Sequence, residues 1–224
     1  MEDEPFVPTE FGRYHLVDKL AKGGMAEIFM AKSHGAHGFE KTLVVKRILP
    51  QLASDPEFVE MFIDEAKVMV KINHPKVVQV LDFGEVDQQY FIAMEYVQGV
   101  DGLALLRMCV RRGVRPTTYI AVHVVAEVLD ALHYAHTLRD EAGLELGIVH
   151  RDISPSNIFI SEQGEVKLGD FGIARASVRT QTTESRNLKG KYGYLAPEVV
   201  SGAEVDQRSD IFSAGVVLAE RLMV

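Results

Sequence analysis

The chain is poor in cysteine: Cys109 is the only one in 224 residues. That excludes an internal disulfide and a thiolate zinc cluster, and it suits a reducing cytoplasm. Basic residues are also in deficit. Lys and Arg number 24 against 32 Asp and Glu, a net charge of −8, which argues against nucleic-acid binding through a broad basic face. No apolar run is long enough to span a bilayer; the most apolar helical stretch, 118–136, is interrupted by His123, Glu127 and Asp130. The N-terminus, Met1-Glu-Asp-Glu-Pro, is acidic and lacks the apolar core of a signal peptide. There is no internal repeat and no low-complexity tract. What remains is an ordinary globular composition, 47% hydrophobic and 25% charged, long enough to bury a core as one domain or a two-lobed one.

Residues 1–10 read as an acidic tail. From Phe11 to Val97 the patterns are mostly strand-like. Tyr14–Leu20 and Glu27–Ala31 flank Gly23 and Gly24, which suggests a hairpin with a flexible tip. Leu43–Ile48 reads as a strand carrying Lys46, and Val77–Leu81 and Tyr90–Tyr96 as two more. Between them, Phe58, Phe62, Ala66 and Met69 have helical spacing over Pro56–Ile72, with Asp55 placed to cap and Pro56 at the first helical position. After residue 98 the character turns helical: Asp101–Arg112, then Pro116–Leu138 with Ile120, Val124, Val128 and Leu132 at four-residue steps. Leu138–Gly147 reads as a charged surface turn. Short strands follow at Asn157–Ser161 and Val166–Gly169 around Gly164, then a Ser/Thr-rich loop from Ala176 to about Lys191, and an apolar helix from Ile211 to Val224. A cleft between two lobes is a common ligand site.

Glycines at the hairpin tip would let backbone N–H groups approach phosphate oxygens closely, although most Gly-Gly pairs are simply turns. Most lysines in a strand like that of Lys46 face solvent; the functional alternative is an ammonium aimed at phosphates and held by Glu65 of the first helix. The third signal is far more specific. His150-Arg151-Asp152 is followed by Asn157, then Asp170-Phe171-Gly172, Ala196-Pro197-Glu198, and Asp210 with Ser213 and Gly215. In this order and spacing, behind a Gly-rich turn, a strand lysine and a helix glutamate, a chance match is negligible.

By these motifs the chain resembles the eukaryotic-like (Hanks-type) Ser/Thr protein kinases of bacteria over residues 11–224. Lys22-Gly-Gly-Met-Ala-Glu-Ile-Phe is similar to their glycine-rich loop, and Ile72-Asn-His-Pro-Lys-Val-Val and Met94-Glu-Tyr-Val match recurring strings of the group. The resemblance implies an α+β, bilobal protein-kinase-like fold. Its N-lobe, 11–97, would be small and β-rich with one main helix; its C-lobe, 98–224, would be larger and mainly helical. It implies transfer of the γ-phosphoryl group of ATP to protein hydroxyls, with Mg2+, or Mn2+ in its place. Lys46, oriented by Glu65, would bind the α/β-phosphates; Asp170 and Asn157 would hold metal, and Asp152 would take or orient the acceptor's proton. Ala21, Gly23 and Gly24 would lie over the phosphates. Ile28, Val44 and Phe159 would wall the base, Met94 would be the gatekeeper, and the Glu95–Val97 backbone would meet adenine. Met69, Val80, His150 and Phe171 would form a regulatory column tied to Asp210. Arg151, with Arg175, implies control by a phosphate on Thr180, Thr182, Thr183 or Ser185.

The sequence also departs from the group. Ala21 and Ala26 replace loop glycines, and Val44 replaces the alanine above adenine. Ser154 stands where Ser/Thr kinases carry lysine two residues after the catalytic Asp, and Lys191 follows Gly190 where they carry threonine. We read these as a reciprocal exchange in which Lys191 serves beside Asp152 and Ser154 is its partner. Lys191→Thr should then cripple activity, and adding Ser154→Lys should restore it; a double variant as inactive as the single one would refute the exchange. Family members continue past the position of Val224 with three further helices, so a C-lobe missing its last helices is expected. Its closing helix would be partly uncovered and Glu198 unpaired. A catalytically weak pseudokinase or scaffold fragment is the alternative to an active kinase, a partner-dependent fragment is a third reading, and tyrosine specificity is a minor variant. Expected partners are ATP and protein substrates, without nucleic acid. A cytoplasmic location is expected, with a membrane tether beyond residue 224 left open, as is oligomeric state.

Overall fold

Sequence with period-two alternation dominates the first part of the chain and period-3.6 sequence the second. The computed structural model describes residues 6–171 and 192–223. They form two compact units. One comprises the described residues up to Val70 with Gln79–Tyr96, and the other Lys71–Val78 with the described residues from Val97 onward.

The first unit is a six-stranded antiparallel sheet in the order β1-β2-β3-β4-β6-β5. Its strands are β1 Thr9–Phe11, β2 Tyr14–Lys22, β3 Ala26–His34, β4 Glu40–Ile48, β5 Val80–Val86 and β6 Gln89–Glu95. Alternation decides which side chains meet. Phe11, Tyr14, Leu16, Phe29, Ala31, Leu43, Val45, Phe91 and Ala93 cluster as one core. The intervening residues, Ile28, Val44, Lys46 and Met94, share the opposite face: Ile28 pairs with Lys46, and Val44 with Met94. Asp87 and Gln88 turn the β5–β6 hairpin with φ of 48° and 63°, the paired left-handed conformations whose twist matches two antiparallel strands. Helix α1, Pro56–Lys71, buries Phe62, Glu65, Ala66 and Met69. The Asp55 carboxylate accepts from the Glu57 N–H at 3.0 Å, the expected cap.

The sheet starts earlier than the sequence suggests. Residues 9 and 10, read as tail, belong to β1, and the Phe6 ring packs on Phe29 at 5.4 Å. The predicted strand Val77–Leu81 is also corrected. β5 begins at Val80, whereas Val77 bridges to Leu168 and the Val78 N–H donates to the Leu168 carbonyl, both in the second unit.

That second unit has a three-stranded sheet, β7 Gly99–Asp101, β8 Ile158–Ser161 and β9 Val166–Leu168. Its helices are α2 Gly102–Arg112, α3 Thr118–His136, α4 Pro197–Ser201 and α5 Gln207–Met223. Asp101 caps α2 through the Ala104 N–H at 2.8 Å, and Gly113, at φ +63°, closes it. Helix α3 packs against α5 and β9. Val124, Val128 and Leu132 are buried as the spacing predicts, but Ile120, on the same row, is exposed. The charged turn after α3 forms: Asp140 accepts from the N–H groups of Ala142 and Leu144, and Arg139 pairs with Glu145.

Candidate active site

In the first unit, Lys46 on β4 donates to Glu65 Oε1 of α1 at 2.5 Å. Both side chains are largely buried, at 14% and 8% exposure. A lysine enclosed this far stays charged only if a carboxylate meets it, so the strand lysine and helix glutamate singled out in the sequence are brought together. Ile28, Val44 and Met94 line the same sheet face as Lys46. Ala21 pairs with Ile28 near the tip, and the Gly23 N–H closes the turn on the Ala26 carbonyl at 2.9 Å. Glu95 accepts the Gln79 N–H at 2.8 Å and returns its own N–H to the Gln79 carbonyl.

Directly after the turn lies a feature without a sequence signal. The buried Glu27 carboxylate accepts from Lys19 at 2.6 Å and Arg47 at 3.1 Å, and the Arg47 guanidinium lies over the Phe29 ring at 4.7 Å. Burial pushes the Glu27 carboxyl up, but the hydrogen bonds from Lys19 and Arg47 outweigh it and hold it below the ordinary range. Glu27 thereby ties the two strands of the turn, β2 and β3, to β4 next to Lys46.

In the second unit, Asp152 and Asn157 are both buried. The Asn157 amide donates to the Asp152 carbonyl at 2.7 Å and to its carboxylate Oδ2 at 2.8 Å. Asp210, 1% exposed, accepts from the backbone N–H groups of His150 and Arg151, both at 2.8 Å. His136 Nε2 lies 2.8 Å from the same carboxylate. These bonds hold Arg151 at φ +66°, a left-handed conformation costing about 1–2 kcal/mol in a residue with a side chain. The His150 ring has a fixed role as well. The Asp152 N–H donates to its Nδ1 at 3.2 Å, so the proton sits on Nε2 and is donated to the Gly169 carbonyl at 3.0 Å. Burial lowers the His150 pKa and keeps this ring neutral, although Asp210 and Asp152 pull the other way.

The Gly169 N–H in turn donates to the Asn157 carbonyl at 2.9 Å, and Asp170 follows at φ +53°. A Cβ on Gly169 would stand 2.8 Å from the Phe159 ring and 3.1 Å from Val78, so only glycine leaves room for Phe159. The His150 and Phe171 rings pack at 4.5 Å. Of the expected regulatory column, His150 and Phe171 belong to this unit, as do Phe159 and Val97; Met69 and Val80 belong to the first.

The donor set suits a hard divalent cation. Asn157 spends its amide nitrogen on Asp152, which leaves its side-chain Oδ1 for a ligand, and Asp170 adds a carboxylate. Mg2+ needs only one or two such protein oxygens when phosphates supply the rest. Among the described residues no cluster of three or more His, Cys, Asp or Glu could hold a metal by itself.

Two expectations are corrected or fall outside. Glu198 is paired: its carboxylate accepts the Ser209 hydroxyl at 2.5 Å, which lowers its pKa. Lys191, Arg175 and the loop residues Thr180, Thr182, Thr183 and Ser185 lie outside the described residues. Within them, the Ser154 hydroxyl is 3.0 Å from that of Ser156. The sequence missed His136, Gly169 and Glu27, and only Gly169, fixed one residue before Asp170, carried a findable signal.

A protein kinase domain family model matches residues 14–224. The chain is 49% identical over 212 residues to the tyrosine-protein kinase MasK of Myxococcus xanthus, covering 95% of this chain and 33% of that protein. It is 38% identical over 216 residues to the serine/threonine-protein kinase PknB of Mycobacterium tuberculosis, covering 94% and 32%. Thus it spans about a third of the length of the curated relatives it matches. The crystal structure of the Mycobacterium tuberculosis PknI kinase domain superposes with a TM-score of 0.69 at 30% identity, over 95% of this chain and 73% of that one. Among the described residues no helix is long and apolar enough to cross a membrane. Motif geometry, sequence and backbone agree, and the chain belongs to the protein kinase family.

Proposed function

We propose that the chain transfers the γ-phosphoryl group of ATP to serine or threonine hydroxyls of proteins, in a cytoplasmic setting. The observation that carries this reading is the buried Asp152–Asn157 pair on a loop whose backbone is fixed by Asp210. Catalysis of phosphoryl transfer is mostly positioning and charge neutralisation, and these residues supply both. The acceptor oxygen forms a bond to the γ-phosphorus, the bond from that phosphorus to the β–γ bridging oxygen breaks, and ADP leaves. The acceptor's proton goes to the Asp152 carboxylate, whose orientation is set by Asn157. Lys46, steadied by Glu65, binds the α/β-phosphates, with Ala21, Gly23 and Gly24 above them. Ile28, Val44, Met94 and Phe159 wall the base, and the backbone of Glu95 and Val97 serves adenine. A divalent cation at Asn157 and Asp170 would neutralise phosphate charge.

Every residue required for nucleotide, metal and base is present, which supports catalysis over a scaffold role. Arg151 Nε is buried without a hydrogen-bond partner among the described residues, which supports its reading as a phosphate receiver. A second reading, phosphorylation of tyrosine, is favoured by the likeness to MasK together with Ser154 in place of lysine. The test is the intact mass of the purified chain after incubation with magnesium and ATP, beside Asp152→Asn. Added phosphate in the wild type alone is expected, with the variant slower by a factor on the order of 10²–10⁴. Phosphate mapping only to tyrosine would replace the first reading with the second. Equal phosphate on both proteins would remove Asp152 from the mechanism.

A further inference from the structure

The acidic chain carries a concentrated exception on α2 and just after it. Arg107, Arg111, Arg112 and Arg115 fall within nine residues, and no acidic residue occurs between Asp101 and Glu127. All four arginines are exposed, and none makes an ion pair or side-chain hydrogen bond among the described residues. They occupy the last two turns of α2 and the segment after Gly113. Around them lie exposed apolar side chains, Val110 at 64%, Val114 at 53% and Tyr119 at 80%.

The helix dipole accounts for Arg111 and Arg112 in the last turn. It does not account for Arg107, one turn earlier, nor for Arg115, beyond the end. Arg107 and Arg111 stand at i and i+4, where like charges repel. A group of unpaired arginines on an otherwise acidic protein is an unfilled counter-charge. All four are arginine and none is lysine. The planar guanidinium matches a carboxylate or phosphate through two parallel hydrogen bonds, and arginine and tyrosine are enriched at protein interfaces where lysine is depleted.

Two features distinguish a protein partner from a membrane. The leucines of α2, Leu103, Leu105 and Leu106, are wholly or partly buried, so the helix keeps its leucine side chains from lipid. What is exposed is Met108, two valines and a tyrosine, side chains suited to a peptide. The location adds a third point: α2 packs against the turn Pro155–Asn157, which carries Asn157 and follows Asp152. From that turn the patch is within one helix length, about 16 Å.

We propose that Arg107, Arg111, Arg112 and Arg115 form a docking site for an acidic segment of the protein substrate, separated from the phosphorylated hydroxyl by about five or more extended residues. That this occupant is a substrate rests on the kinase reading above; that it is an acidic polypeptide rests on the patch alone. The experiment keeps the two apart. Fluorescence anisotropy, without nucleotide, measures binding of a labelled Glu/Asp-rich peptide and of its Gln/Asn counterpart to the 224-residue chain. The acidic peptide should bind, more weakly as salt rises, and its neutral counterpart should not.

Arg111→Gln/Arg112→Gln/Arg115→Gln should weaken binding at least about tenfold; Arg111→Glu/Arg112→Glu should abolish it. Asp152→Asn should bind like the wild type, so a chain that transfers no phosphate still reports on the patch. In the transfer assay, the triple variant should raise KM for a peptide carrying the acidic segment and leave a short peptide without it unchanged. The docking site is overturned if the triple variant binds the acidic peptide as well as the wild type. It is equally overturned if vesicles containing phosphatidylserine, or single-stranded DNA, bind through these arginines while the acidic peptide does not.

Discussion

The two units secure their functional charges in different ways. In the sheet unit, Lys46 is met by a side chain, Glu65, reaching from a helix to a strand. In the helical unit, Asp210 grips the backbone N–H groups of His150 and Arg151. The difference follows from what each group must do. A lysine that binds phosphates must keep its charge when enclosed, and the Glu65 carboxylate secures that for Lys46. A carboxylate that receives a proton must have a fixed position, and fixing the backbone on which it sits supplies that alongside the Asn157 amide on its Oδ2. The first arrangement tunes a charge, and the second builds a loop. Breaking the first should cost mainly activity, and breaking the second mainly stability.

The largest expected effect is therefore at Asp210. Asp210→Ala leaves two backbone N–H groups, that of His150 buried and that of Arg151 partly so, and His136 without their acceptor, and removes the bonds that offset the strained Arg151 backbone. We expect a loss of about 3–5 kcal/mol in unfolding free energy, measured by urea denaturation of the purified chain. Asp210→Asn, which keeps one acceptor oxygen, should lose less. A loss under about 1 kcal/mol for Asp210→Ala would mean the loop holds itself. The opposite arm is Glu65→Gln, which keeps shape and an acceptor but deletes the charge. Because the enclosed Lys46 loses its charged partner, the stability cost should be about 1–3 kcal/mol, while kcat/KM for ATP falls about a hundredfold as the ammonium loses its orientation. Should Glu65→Gln unfold the protein while Asp210→Ala leaves it intact, the contrast between the units is the wrong way round.

The same contrast marks what the sequence could show. Groups expected to touch ligand are read from motifs, because their chemistry fixes both residue type and spacing: Lys46, Asp152, Asn157 and Asp170 stand out in the sequence alone. The main helices were legible from periodicity, and α1 also from Asp55 and Pro56 at its start. Supporting contacts were not legible, because they depend on which distant segment arrives. His136 meets Asp210 across 74 positions, and nothing in its neighbourhood marks it. Glu27 looks like any strand residue until β4 brings Arg47 beside it. Val77–Leu81 reads as one strand because four of its five residues are apolar, yet Val77 and Val78 pair with Leu168 in the helical unit while β5 starts at Val80. Apolarity reports burial, not the partner. For Glu198 the expected loss of a charged partner gave no hint that Ser209, eleven residues on, would supply a hydroxyl.

The backbone-held loop also carries a buried ring, His150, whose effect is smaller and depends on pH. His150 is completely buried, with Asp210, Asp152 and Asp170 the nearest charges, and burial outweighs their pull so that its pKa in the folded chain falls below the ordinary 6.5. The unfolded chain therefore takes up this proton first as pH falls. The stability that His150 contributes is fully present above its unfolded pKa and is lost on descending below it, at about 1.4 kcal/mol per pH unit until the folded ring itself titrates. Urea unfolding of the wild type from about pH 8 down to about pH 5 should show this slope superimposed on that of the other groups. His150→Gln should be less stable at neutral pH, where it loses the ring's packing on Phe171, but its stability should fall less steeply in acid. His123→Gln, at an exposed position, should keep the wild-type slope. If His150→Gln and the wild type lose stability in parallel between about pH 6.5 and 5, the buried ring is not held neutral, and its Nε2–H bond to Gly169 is not what orders the approach to Asp170.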